Sequence, residues 1–140
     1  MIKVSESVKE FCDKQELMRI GYEDAQGELH LVPVWFVEVD GFYFFGTYTG
    51  SLKSRSLLGK PNAGWVIDGG ENRKYKGATF TGEVESVEDR QTRGRVYNAL
   101  GLKYFGTVDD PKFVEIYGQQ DDAATTYFKL KPKSASSWEY

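Results

Sequence analysis

The run LHLVPVWFVEVDGFYFFG, Leu29 to Gly46, constrains the fold more than any other stretch. Its first part, Leu29 to Val39, is apolar at both alternations near its centre. That pattern predicts a strand buried on both faces, by the core on one side and by a partner or ligand on the other. Asp40-Gly41 then supplies the residues of a tight hairpin turn, so the aromatic strand FYFFG pairs back antiparallel. Pro33 sits inside the first of these strands. A proline cannot donate to a ladder, so pairing shifts or stops there. The amides of Val34 to Phe36 are then available to something other than a strand.

Further strands are predicted at Leu17–Glu23, Ala63–Asp68, Lys76–Glu88 and Ala124–Pro132, with turn residues DAQGE after the first and a polar loop GGENRKY after the second. Val4, Val8, Phe11 and Cys12 fall at helical spacing, with Ser7…Glu10 read as a capping box. Asp89 to Tyr104 is helical, and Asp110-Pro111 starts another helical segment through Tyr117. Ser137-Trp138 belongs to a short tail. Consecutive strands joined by tight turns pair antiparallel. The expected fold is mainly β with peripheral α: a six-stranded antiparallel, closed or half-closed barrel, in a single domain spanning 1–140.

A net charge of −3 argues against a general nucleic-acid or anionic-membrane binder. Cys12 is the only cysteine, which excludes an internal disulfide and a cysteine-based zinc site. The opening MIKVSESVKEF has no apolar leader core, and no apolar run approaches membrane-spanning length, so a cytoplasmic location is expected. His30, the only histidine, has no carboxylate partner in the sequence pattern and is read as packed at a strand start or facing solvent. No metal site is expected, and no residue stands out as a catalytic acid or base.

The segment GTYTGSLKSRSLL, Gly46 to Leu58, carries the chemistry. A turn at Thr49-Gly50 leads into a short helix that Ser51 or Thr49 can cap. The start of such a helix has unpaired amides and partial positive charge. Lys53 and Arg55 add two full charges, and no Asp or Glu occurs between Asp40 and Asp68. Hydroxyls, glycine and cations at a strand-to-helix junction suit a phosphate. Gly59-Lys60-Pro61 ends the helix.

Three ordered pieces, RIGYEDAQGELHLVPVWFV, FYFFGTYTGSLKSRSLLGKPNAGWVID and YKGATFTGEVESVED, together with the terminal FKLKPKSASSW, resemble the flavin-binding split β-barrel proteins of the pyridoxamine 5′-phosphate oxidase family. The resemblance implies an FMN-binding homodimer with the flavin at the subunit interface. It implies that Lys53 and Ser51 hold the phosphate, that Thr47 contacts the flavin, and that the strand around Pro33, Val34, Trp35 and Phe36 lies along the ring. Arg55 is a second cation for the phosphate on physical grounds. Lys76 falls near the position of a flavin-contacting glutamine in the authentic oxidase. That oxidase has a substrate-phosphate lysine where this chain has Val37, and a basic Arg-x-His signature where this chain ends KPKSASSWEY. Oxidation of the vitamin itself is therefore not expected. The implied activity is a flavin-dependent oxidoreductase passing electrons between a reduced nicotinamide or similar donor and a small-molecule acceptor. A deazaflavin-dependent reductase and a non-enzymatic flavin- or haem-binding barrel are the alternatives.

Overall fold

The computed structural model describes residues 4–140; of the opening stretch read for a leader, residues 1–3 lie outside the described residues. The order is α1 (Glu6–Asp13), β1 (Met18–Glu23), β2 (Leu29–Val34), β3 (Val37–Val39), β4 (Phe42–Tyr48), α2 (Leu52–Gly59), β5 (Asn62–Glu71), β6 (Lys74–Ser86), α3 (Arg90–Phe105), α4 (Pro111–Tyr117) and β7 (Thr125–Glu139). The strands form one antiparallel sheet in the order β2-β1-β5-β6-β7-β4-β3. Its two edges, β2 and β3, are consecutive in the chain and separated only by Trp35 and Phe36. The sheet must therefore curl until its edges meet, which makes a barrel. Seven strands replace the expected six because the Leu29–Val39 strand divides at those two residues.

Local signals explain most boundaries. Asp40 and Gly41 both take positive φ, 54° and 87°, as the two central residues of a type I′ turn. Asp110 caps α4 with Pro111 in its first turn, and Asp89 caps α3, which ends at Gly106 with φ 75°. Ser51 caps α2 by accepting from the Ser54 amide. The cap of α1 is Ser5, which accepts from the Val8 amide; Ser7 instead bonds Glu139.

Two predicted boundaries are corrected. GGENRKY is a strand hairpin, not a loop: β5 runs to Glu71, and Asn72 and Arg73 turn it at φ 52° and 65°. Gly70 (φ 134°) lies so close to the Lys74 carbonyl that no Cβ fits there. The last strand continues through the tail to Glu139, because β6 pairs with it along Lys76–Ser86. The register shifts where Pro132 faces Gly82 and Ser134 faces Thr81, a bulge that tolerates the proline.

Alternation along β3 and β4 feeds two cores. Val34, Phe36, Phe45, Trp65, Phe80 and Phe128 fill the barrel, with Leu57 of α2 and Val8 and Cys12 of α1 packed against them. Val37, Val39, Phe44 and Tyr127 point outward into a second core completed by Val96, Leu100, Phe113 and Tyr117 of α3 and α4. The chain's own helices thus cover the outer face of this half of the long strand, where a partner or ligand was expected. Cys12 faces the core as predicted, and burial pushes its thiol up to about 11.

The β1–β2 turn is held by Asp24, whose Oδ1 accepts from the Gln26 and Glu28 amides and whose Oδ2 bonds His30 Nε2 at 2.9 Å. His30 therefore does have a carboxylate partner, one that the sequence pattern did not reveal. The His30 ring and these amides hold the Asp24 carboxyl below the usual carboxylate range. A depressed carboxyl stabilises the fold above the ordinary range near pH 4, and that contribution is lost as pH falls. Asp24→Asn is expected to lower unfolding free energy at pH 7, with the gap to wild type closing by pH 3 in urea titrations. An equal gap at both pH values would contradict this.

Candidate functional site

The site follows from where the barrel splits. β3 pairs with β4 as Val37–Phe44, Glu38–Tyr43 and Val39–Phe42. Continued in that register, Trp35 would face Gly46 and Val34 would face Thr47. Instead the chain veers at Pro33–Phe36 to pair with β1, Val34 lying opposite Met18. On the outward side Tyr117 fills the opening: it packs on Trp35 at 6.5 Å and stands 3.0 Å from where a Gly46 Cβ would be. Thr47, Ser51 and Lys53 remain only partly buried.

Hydroxyls gather at this end. Thr47 Oγ1 lies 3.4 Å from Ser51 Oγ, and Thr49 Oγ1 lies 2.8 Å from Thr126 Oγ1 and donates to the Ala123 carbonyl. Ser54 Oγ, on the buried face of α2, has no hydrogen-bond partner among the described residues. The leading amides of α2 point out of its first turn, with the positive end of the helix dipole behind them. Among the described residues neither Lys53 nor Arg55 has an ion pair. Burial alone lowers the Lys53 ammonium from its ordinary value, with no carboxylate to offset it. Arg55 is exposed and folds back onto the Gly50 carbonyl at 3.3 Å. A half-buried cation without an ion pair among the described residues, in the first turn of a helix capped by Ser51, fits a phosphate group.

The Pro33–Phe36 segment is partly engaged by the protein. Pro33 is exposed and Val34 buried. The Trp35 indole stacks on Tyr104 at 4.5 Å. Phe36 is fully buried, and its amide, expected to be free, donates to Tyr104 Oη at 2.9 Å. Lys103 Nζ donates to the Phe36 carbonyl at 2.9 Å. Lys103 and Tyr104 are the residues that sequence reasoning missed; a lysine and a tyrosine late in a helix carry no local signal that they grip a strand 67 residues away.

Lys76 stands apart. It pairs with Glu139 at 3.0 Å, bonds Ser7, and lies over the Phe11 ring. Ser86, ten residues along β6, pairs with Phe128, close to the Thr126 that faces Thr47. At about 3.3 Å per residue, roughly 30 Å of strand path separates Lys76 from the Thr47 end of the sheet within one chain.

The outer sheet face bears a second feature. Leu29 and Leu31 of β2 are about 80% exposed. Beside them a groove of about 460 Å³ is floored by Gly21 and Gly64, and another of about 280 Å³ runs between Arg19, Pro33 and Val66. Trp138 lies over Gly77 on the same sheet. Asp24, Glu28 and His30 bring ligand-type atoms within 4.8 Å of one another, but Asp24 is already satisfied as the turn cap. Among the described residues no helix is long and apolar enough to cross a membrane.

Solved structures share this architecture. A conserved hypothetical protein, Rv2991 of Mycobacterium tuberculosis, superposes with a TM-score of 0.82 at 22% identity, covering 99% of this chain and 86% of that one. The haem storage protein HutZ of Vibrio cholerae gives 0.75 at 19%, covering 98% and 94%. An FAD-binding protein of Mycobacterium smegmatis gives 0.71 at 14%, covering 99% and 98%. At these identities the likeness speaks for the fold alone. No curated protein sequence matches significantly. The sequence model of the pyridoxamine 5′-phosphate oxidase family matches residues 4–139, nearly the whole chain, and the chain belongs to that family.

Proposed function

We propose that this protein binds FMN at the β4–α2 junction and works as a flavin-dependent oxidoreductase. The observation that carries the reading is Lys53: half-buried, without an ion pair among the described residues, and two residues along the chain from Ser51, whose hydroxyl lies 3.4 Å from that of Thr47. Lys53, Ser51 and the leading amides of α2 would hold the phosphate, with Arg55 swinging in from the surface. Pro33, Val34 and Trp35 would lie along the ring, and Phe36 would support it from the core. Lys76, far from Thr47 in its own chain, would act only in the site of the other subunit. A bound flavin supplies hydride and electron transfer; the protein supplies orientation and electrostatics.

A homodimer belongs to the same reading. The bare outer row Leu29, Leu31 and Pro33 adjoins the ring segment, so a second copy covering it would complete the cleft. The deazaflavin alternative needs more cations for a longer acidic tail, yet Lys60 is already tied to Glu23 at 2.6 Å. The haem alternative would draw on His30, whose Nε2 is bonded to Asp24.

FMN titration followed by flavin fluorescence is expected to show binding, weakened about 10- to 100-fold in Lys53→Ala by loss of a charge-assisted hydrogen bond. Riboflavin, lacking the phosphate, is expected to bind both proteins equally. Equal FMN affinity in the two proteins would contradict the phosphate assignment. In sedimentation, wild type is expected as a dimer and Leu31→Asp as a monomer, a charge at the seam having no partner. A Leu31→Asp dimer as tight as wild type would contradict the seam.

A further inference from the structure

Trp35 and Phe36 lie between two ladders. Pairing with β1 ends at Val34, and pairing with β4 resumes at Val37. Two consecutive residues in the last turn of α3 fill that gap. Tyr104 Oη accepts from the Phe36 amide at 2.9 Å and lies 2.9 Å from the Phe36 carbonyl and 2.8 Å from the Glu16 carbonyl, either of which can take its single proton. Lys103 Nζ donates to the Phe36 carbonyl at 2.9 Å and to the Asp13 carbonyl at 3.3 Å. Their side chains also grip through faces: the Tyr104 ring is nearly parallel to Trp35, at 8°, and Lys103 Nζ stands 3.7 Å from the centre of the Phe36 ring. Both polar groups of the Phe36 backbone and both aromatic side chains are thus set from one helix end.

We propose that Lys103 and Tyr104 are positioning residues for the ring of the bound flavin, fixing the angle at which Pro33–Phe36 leaves the barrel. This rests on the flavin reading and deepens it: the β4–α2 junction takes the phosphate, and the end of α3 sets the bed for the ring. The ammonium of Lys103 faces Asp13 and Glu16, both of which favour its charge, along with the Tyr104 hydroxyl. Burial outweighs the two carboxylates and brings its titration down to about 8. As pH rises through that value in the folded protein, the charge-assisted bond to the Phe36 carbonyl becomes a weaker neutral one.

The test compares FMN with riboflavin. Lys103→Met and Tyr104→Phe are expected to weaken both flavins by the same factor, about 5- to 30-fold for the loss of one such bond. Lys53→Ala affects FMN alone. Wild-type riboflavin affinity is expected to fall between pH 7 and 9, while Lys103→Arg keeps the affinity and removes the fall; ionisation of the flavin itself is common to both proteins. The positioning role is overturned if wild type and Lys103→Arg share one pH profile, or if folded Lys103→Met and Tyr104→Phe bind riboflavin as wild type does. The wild-type and Lys103→Arg profiles decide the matter even where the other variants fail to fold. A wild type that binds neither flavin overturns the flavin reading, and the positioning role with it.

Discussion

Between Val34 and Val37 the long strand has no ladder neighbour, so the backbone polar groups of Phe36 are satisfied by side chains. Tyr104 and Lys103 do this, and the rest of the architecture depends on it. The same strand lies at both edges of the sheet, paired with β1 before the break and with β4 after it. Pro33, lacking an N–H, favours the change of partner at this point. Were pairing with β4 to continue through Trp35 and Val34, β2 would lie beside Gly46 and Thr47, and β1 would keep only β5 as a neighbour.

The break also divides the outward row of that strand. Trp35, Val37 and Val39 are covered by α3 and α4, while Leu29, Leu31 and Pro33 are bare. The phosphate-type features collect where the two halves part, at the end of β4. Their electrostatics are one-sided: Lys53 is desolvated, Arg55 has no ion pair among the described residues, and the α2 start adds its dipole. Several cations elsewhere are matched. Lys9 meets Asp13 and Glu38, and Arg95 chelates Asp40. A positive cluster left unmatched in an acidic chain is the feature that a bound anion would balance.

Much of this was legible in the sequence, for a physical reason. Thr47, Ser51 and Lys53 lie within seven residues on a strand, a turn and a helix start, so local rules place them together. Caps at Ser51 and Asp110 and the turn at Asp40-Gly41 are local in the same way. What escaped is non-local. The polar, glycine-rich GGENRKY reads as a loop until β6 pairs with it. By residue pattern the strand stops at Pro132; only the family resemblance carries it into the serine-rich tail, which the first half of β6 claims. The Asp24–His30 bond crosses a hairpin, and the grip of Lys103 and Tyr104 on Phe36 reaches from the end of α3 back across β6, β5, α2 and β4 in the chain. The Phe36 amide, expected to be free beside a proline, is consumed by that grip.

The most direct measurement is a crystal structure of the protein grown with FMN. The account predicts a phosphate oxygen within about 3 Å of Lys53 Nζ, next to the Ser51 hydroxyl, with the ring lying along Pro33–Trp35. A flavin phosphate bound elsewhere, with Lys53 facing only water, would contradict it.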